Sequence, residues 1–383
     1  MADYYIDGSV AGSAGVLNGS GTLGDPWTQN SGVDLLEAAR QAIIAIGVGT
    51  AGDTVIVLDG DLTNTAPLTV YASGGNHWWQ QKPFVLRPYV MDGTQRIDFD
   101  LGFNALFEFD SQQQGHNYYF TDFHGFNYPS GNYTINGQQW SGYYFCTFDS
   151  DDSETGATKG MIYAGSHTHV VGCRFLNDQR TVGLMIGMSS GCLIRGNYFE
   201  MNYASYGFYT YGSQFSNNIL RCSADANLGV VLPIQGGQFF NNTFYGVDAA
   251  TPANNGGAIY IPSSYEHNVC VNNYFENMKR SMYIASTDQQ NLAIFAGNYA
   301  YNIWDTTAGY PNSTNTTFMT NNDQNLSRSG LVDPANGDYR PNDLLIGKGF
   351  NLENYYLQGV TTGRKTIGAI EVDLMPPRVR DLY

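Results

Sequence analysis

Charge is scarce in this chain, and positive charge is scarcer still. Asp, Glu, Lys and Arg make up 14% of 383 residues, and 18 Lys and Arg face 34 Asp and Glu. The cations are scattered, with Lys279-Arg280 the one adjacent pair inside the central region, read here as an isolated surface pair. Gripping a nucleic-acid backbone requires clustered cations, so a nucleic-acid partner is not expected. The net charge of −16 also opposes uronate polymers on average and favours solubility over self-association. No apolar run reaches the ~18 residues of a membrane span, so no membrane partner is expected. The opening Met1-Ala-Asp-Tyr-Tyr-Ile6 lacks the basic and apolar regions of a secretory signal. Cysteine is also rare: Cys146, Cys173, Cys192, Cys222 and Cys270 are odd in number, lie in strand-like runs and form no CxxC pair. They read as buried thiols rather than disulfides or metal ligands.

What the chain has in abundance is Gly (45), Tyr (28) and Phe (21), with 42% hydrophobic residues, enough for a continuous core. Short β-strands joined by turns need that composition. A phrase beginning with Asn recurs: Asn197-Tyr-Phe-Glu200, Asn218-Ile-Leu-Arg221, Asn242-Thr-Phe-Tyr245, Asn273-Tyr-Phe-Glu276 and Asn298-Tyr-Ala-Tyr301, at steps of 21, 24, 31 and 25. Extended backwards it meets Cys173-Arg-Phe-Leu176, Cys146-Thr-Phe-Asp149 and Thr121-Asp-Phe-His124 at steps of 24, 27 and 25. Such a period marks stacked supersecondary units, here of strand type. The predicted fold is all-β, a right-handed parallel β-helix of roughly ten coils, about 45–50 Å of stacked strands at ~4.8 Å per rung. The Asn column reads as scaffold, with Asn in the left-handed turn conformation and its amide paired to the rungs above and below. The Phe column (Phe123, Phe148, Phe175, Phe199, Phe244, Phe275) is predicted to point into the core.

The expected organisation is an N-terminal strand and capping helix over 1–53, the β-helix over 54–305, a C-terminal loop and cap over 306–371, and an extended arm over 372–383. Asn30 or Ser31 would cap the helix, Asp34 and Glu37 suit its first turn, and Leu35, Leu36, Ala39, Ile43 and Ile46 form an apolar face. Gly47 and Gly49 stop it. Residues 305–330 lose the rhythm and read as loop or cap. The phrases Gly19-Ser-Gly-Thr-Leu-Gly-Asp-Pro-Trp-Thr28, Gly52-Asp-Thr-Val-Ile-Val57, Leu331-Val-Asp-Pro-Ala-Asn-Gly-Asp-Tyr-Arg-Pro341 and Thr366-Ile-Gly-Ala-Ile-Glu371 resemble those of pectin-lyase-like right-handed parallel β-helix proteins, phage virion proteins among them. The resemblance spans about residues 3–371. It implies a fold, while the group itself mixes lyases, hydrolases, phage spikes and proteins without activity.

Candidate chemistry sits three residues after each Asn: His124, Asp149, Leu176, Glu200, Arg221, Tyr245, Glu276 and Tyr301. Glu200 and Arg221 fall one rung apart, and His124 and Asp149 are a second pair. Glu200 and Glu276 would be ~14 Å apart and Asp149 and Glu200 ~10 Å, against ~5–9.5 Å for a glycosidase carboxylate pair. An enzyme would have to use His124, Asp149, Glu200 and Arg221; a polar ladder of ion pairs is the expected alternative. No cofactor is expected, although Asp149, Asp151, Asp152 and Glu154 are weak candidates for Ca²⁺, without the residue order of a calcium loop. His167 and His169 share a strand face but lack a third ligand for zinc. Trp78, Trp79, Trp140 and Tyr144 are candidates for stacking on sugars.

The expected function is a structural or adhesive β-helix of a virus particle, a capsid decoration, fibre or spike made in the host cytoplasm. Its partners would be other virion proteins, two further copies in a homotrimer, and a surface polysaccharide. Attachment is assigned to Pro376, Pro377, Arg378, Arg380 and Tyr383, where the Pro pair stiffens an extended arm. The alternatives are a polysaccharide lyase or glycoside hydrolase, or a glycan-binding module, secreted if a leader was removed.

Overall fold

The computed structural model describes residues 2–10, 16–29, 32–47, 53–63, 65–66, 84–101, 116–125, 133–137, 140–149, 160–178, 184–201, 208–222, 231–247, 258–261, 268–284, 292–304, 316–320, 322–323, 325–349 and 368. The chain divides into two compact units, Met1–Arg180 and Thr181–Arg378. Each is a stack of coils whose strands run parallel and fall into three sheets, the parallel β-helix that the repeat predicts.

In the first unit, sheet 1 stacks Ala2–Ile6, Asp53–Val57, Phe84–Pro88, His116–Tyr119, Gly142–Tyr144 and His169–Val171. Sheet 2 stacks Leu62–Thr63, Ile97–Asp100, Thr121–His124, Thr147–Asp149 and Arg174–Asp178, and sheet 3 pairs Tyr133–Gly137 with Gly160–Ala164. The α-helix Leu35–Gly47 buries Leu35, Leu36, Ala39 and Ile43, as its apolar periodicity predicts. The expected caps Asn30 and Ser31 lie outside the described residues. Asp34 adopts a left-handed φ of 51°, and its carboxylate accepts hydrogen bonds from the amide and hydroxyl of Thr65, tying the helix start to the first coil. Arg40 departs from the apolar face: it is buried beside Ala39, with Nη1 3.4 Å from Glu37 Oε2.

In the second unit, sheet 1 stacks Leu193–Arg195, Gln214–Ser216, Gln238–Phe240, Asn268–Val271, Leu292–Ala296 and Thr316–Thr320. Sheet 2 stacks Tyr198–Met201, Ile219–Cys222, Thr243–Gly246, Tyr274–Glu276 and Tyr299–Tyr301; sheet 3 stacks Leu184–Ser190, Phe208–Tyr211, Val231–Gln235, Ile259–Ile261 and Met282–Ile284. Thr316–Thr320 corrects the expectation of a loop, because Thr-Thr-Phe-Met-Thr has the β-branched character of a strand and pairs in register with Leu292–Ala296.

The Phe column is the core. Phe123, Phe148 and Phe175 are in register in the first unit, as are Phe199, Leu220, Phe244, Phe275 and Ala300 in the second, all fully buried. Phe148 stacks on Phe175 at 4.6 Å between ring centres and Phe244 on Phe275 at 5.1 Å. All five cysteines are buried free thiols, as expected.

Asparagine builds the scaffold through amides paired from rung to rung, as expected, but the left-handed turn falls on a different residue. The left-handed residue is the one before the repeated Asn: Phe120, Phe145 and Gly172 in the first unit, and Gly196, Asn217, Asn241, Asn272 and Gly297 in the second. The repeated Asn is buried just past the corner. The Oδ1 of Asn218 accepts from both the backbone N and Nδ2 of Asn197 at 3.0 Å, and the pattern continues from Asn218 to Asn242, Asn273, Asn298 and Asn322. Each Nδ2 from Asn218 onward also donates to a carbonyl of an earlier sheet 1 strand, such as Asn242 to Phe215 O at 2.9 Å. Buried amides are thus satisfied on both edges. In the first unit Cys146 and Cys173 hold the Asn position, and their thiols donate to the corresponding carbonyls of Tyr118 and Tyr143.

Candidate functional site

The outward column of sheet 2 is where the sequence places its polar candidates. In the second unit the register runs Glu200, Arg221, Tyr245, Glu276, Tyr301, as the Asn spacing predicts. Glu200 and Arg221 form a part-buried ion pair across one rung. Glu276 has tyrosines on both adjacent rungs, so no second carboxylate stands next to it in the column.

A segment that the spacing argument treats as a bare cap covers part of this column. Leu331–Asp333 and Asp338–Pro341 form a small antiparallel pair, and this part of the chain folds against sheet 2. Leu331, Tyr339 and Leu345 join Tyr245 and Tyr274 in one buried cluster, with Tyr198, Ile219, Tyr299, Tyr301 and Leu326 packed around it. Beneath this clasp Glu276 is only 3% exposed, and its Oε2 accepts from Tyr274 Oη and Ser329 Oγ, both at 2.7 Å. Tyr274 Oη in turn accepts from Gly330 N at 2.7 Å. Burial raises the pKa of Glu276, and the two hydroxyl donors oppose that rise. Gly330 has no room for a side chain: an added Cβ would lie 2.7 Å from Leu345 Cδ1. The sequence offers no direct signal for the clasp, because Ser329 and Glu276 are 53 residues apart.

In the first unit, Asp100 and His124 are register neighbours, and His124 Nε2 lies 3.5 Å from Asp98 Oδ1. Partial desolvation raises the pKa of Asp98; His124 opposes the rise, while Asp61, Asp122 and Asp100 add to it. Arg96 clamps Asp122 through two contacts of 2.6 Å and donates to Phe145 O at 2.8 Å. The register that sets Phe148 opposite Phe123 carries Asp149 to the rung after His124, as the spacing predicts, with Leu176 opposite Asp149 on the rung beyond.

Sheet 1 of the same unit carries the aromatic candidates. Trp140 stacks on His167 at 4.2 Å with the rings 4° from parallel. Tyr144 stacks on Tyr119 at 4.8 Å, and its hydroxyl lies 3.3 Å from His169 Nδ1. His167 does not share a strand face with His169 as expected: it sits at the corner before His169–Val171 with a φ of 62°. Asp151, Asp152, Glu154, Trp78, Trp79, Pro376, Pro377, Arg378, Arg380 and Tyr383 lie outside the described residues. Among the described residues no three His, Cys, Asp or Glu converge as a metal site, and no helix is long and apolar enough to cross a membrane.

Stacked parallel sheets around an aromatic core, with an Asn ladder at one corner, define a parallel β-helix protein. Residues 128–328, more than half of the chain, match the family model described as periplasmic copper-binding protein (NosD), and the chain belongs to that family. Among solved structures it is similar to one described as the crystal structure of pectate lyase Pel9A, at 12% identity, over 97% of this chain and 96% of that one, with a TM-score of 0.37. No curated protein matches it.

Proposed function

We propose that this chain is a non-catalytic structural β-helix, displayed on a virus particle as a homotrimer and held there by its C-terminal arm. One observation carries the non-catalytic part of the reading. Of the two carboxylates in the second unit's polar column, Glu200 is committed to Arg221 and Glu276 is sealed under the clasp. A polysaccharide could not reach Glu276 without displacing a buried cluster of five apolar and aromatic side chains. The particle role rests on the resemblance of the sequence to phage β-helix proteins and on the Pro-Pro-Arg arm.

The family description raises copper, and the described residues do not suit it. Copper(I) selects thiolates and Cu(II) imidazoles in a converging set. Cys146 and Cys173 instead spend their S–H groups on backbone carbonyls, and burial pushes the Cys173 thiol far above its ordinary pKa. His169 Nδ1 is engaged by Tyr144, and among the described residues no three His, Cys, Asp or Glu converge.

Two measurements test the reading. The purified protein should release neither unsaturated nor reducing ends from polygalacturonate, alginate or neutral polysaccharides. Turnover that is abolished by His124→Ala or Glu200→Gln would make it an enzyme instead. Deleting residues 372–383 should leave a folded protein absent from purified particles, and normal incorporation would remove the assigned attachment.

A further inference from the structure

Two bulky residues in the first unit occupy backbone that bulky residues avoid. Trp140 and His167 have φ of 65° and 62°, at the corner that leads into a sheet 1 strand. At the equivalent corner of the second unit the chain uses Gly191, Gly212 and Gly236. A left-handed conformation costs a residue with a side chain roughly 1–2 kcal/mol. Core packing does not offset that cost here, because Trp140 is 55% exposed and His167 is exposed as well. At the left-handed Phe120 and Phe145 of the same unit, which stack on each other with Phe120 buried, packing offsets the strain. At the exposed pair of Trp140 and His167 it does not, which points to a role at the surface.

The pair continues into a wider surface. On the strand face beside it, exposed His169 meets the hydroxyl of Tyr144, and Tyr144 lies parallel to Tyr119 on the preceding rung. Gly142 makes this arrangement possible: a Cβ there would lie 2.4 Å from Tyr144 Cε2, so the bare glycine lets the tyrosine ring lie across the strand. The result is a run of rings over three rungs, about 10 Å along the stack. Stacking covers the facing sides of these rings, so the apolar contact comes from the exposed part of Trp140, while the imidazole nitrogens and phenol hydroxyls at the ring edges supply hydrogen bonds. A ligand that fits must combine an apolar face with a rim of hydroxyls, as a sugar ring does.

We infer that Trp140, His167, His169, Tyr144 and Tyr119 form a binding platform for the sugar rings of an uncharged glycan. Charge selects the uncharged class. Trp and Tyr carry no charge at neutral pH, and desolvation together with His167 holds His169 below its ordinary pKa. None of the five platform residues is a Lys or Arg of the kind that grips a polyanion, and the chain's net charge of −16 repels one. Binding here requires neither turnover nor particle assembly, so the scaffold role and this site can fail independently.

Affinity electrophoresis of the full chain tests the site, with dextran, galactomannan, xyloglucan or hydroxyethyl cellulose in the gel and with alginate and polygalacturonate as acidic counterparts. At least one neutral polymer should retard the protein. Trp140→Gly, whose backbone suits the corner, should weaken that retardation about ten-fold, the loss of one good ring contact. His167→Gly, which removes the support beneath the indole, should weaken it too. Far-UV circular dichroism like that of wild type and a thermal midpoint no lower than wild type would establish that both variants are folded. Retardation by no neutral polymer, retardation by the acidic polymers alone, or full retention in both folded variants would each overturn the assignment.

Discussion

Asn242→Ala is the most direct probe of what holds the second unit together. Asn242 is fully buried, and its side chain makes four hydrogen bonds. Its Oδ1 accepts from Asn218 N at 3.0 Å and Asn218 Nδ2 at 3.1 Å, and its Nδ2 donates to Phe215 O and Asn273 Oδ1 at 2.9 Å. Truncation leaves Asn218 Nδ2 its bond to Ile194 O, and Asn273 Oδ1 still receives the backbone N of residue 242. The backbone N–H of Asn218, buried and facing an empty position, loses the acceptor shown here. An orphaned buried donor costs about 1–3 kcal/mol, and each further lost bond about 0.5–1.5 kcal/mol. The sum is about 5 kcal/mol, a large share of the roughly 5–15 kcal/mol that stabilises an ordinary domain. At about 2–4 °C per kcal/mol the thermal midpoint should fall by roughly 10–20 °C. Asn242→Asp should be at least as harmful at neutral pH, because its second oxygen would face Phe215 O and Asn273 Oδ1, both acceptors, with a buried charge. Differential scanning calorimetry of both variants, with exposed Asn325→Ala as a control within ~0.5 kcal/mol of wild type, measures the effect. A cost below ~1 kcal/mol for Asn242→Ala would refute the argument that the ladder is a satisfied buried network.

Two further perturbations address the clasp and the coil corner. Because the folded pKa of Glu276 is raised above its ordinary 4.5, its contribution is fully present below 4.5 and is lost as pH rises through the raised value. Glu276→Gln should therefore melt higher than wild type at neutral pH, with the gap closing as pH falls to 4.5; a gap independent of pH would sink this account. At the corners, Gly236→Ala should cost only the left-handed strain of about 1–2 kcal/mol, since its added Cβ meets nothing within 4 Å. Gly172→Ala should cost distinctly more, because its Cβ would also lie 2.6 Å from the ring of Phe145; equal midpoints for the two variants in calorimetry would contradict the packing described for that corner.

Much of the fold was legible in the chain. The Asn steps placed Phe123, Phe148 and Phe175, and then Glu200 beside Arg221, in their observed registers, because parallel stacking converts a sequence period directly into a spatial column. Asn322 was missed although it follows Asn298 by 24 residues, because Asn322-Asp-Gln-Asn325 lacks the aromatic that marks the other rungs. Which residue of the corner turns left-handed was also missed. Asn217-Asn218, Asn241-Asn242 and Asn272-Asn273 each offer two Asn for two jobs, and only the stacked geometry assigns the first to the turn and the second to the ladder.

The sequence by itself determined a stacked parallel β-helix, its aromatic core and its buried thiols, since these follow from local alternation repeated at a fixed interval. Only the tertiary structure decided the fate of the polar surface. Whether Glu276 faces solvent or lies beneath Ser329 depends on a contact that no interval encodes, a later segment returning across the coils. The 27-residue step from Cys146 to Cys173 also carries Trp140 to His167, and there only the stacked corners decide that the rings lie flat on each other.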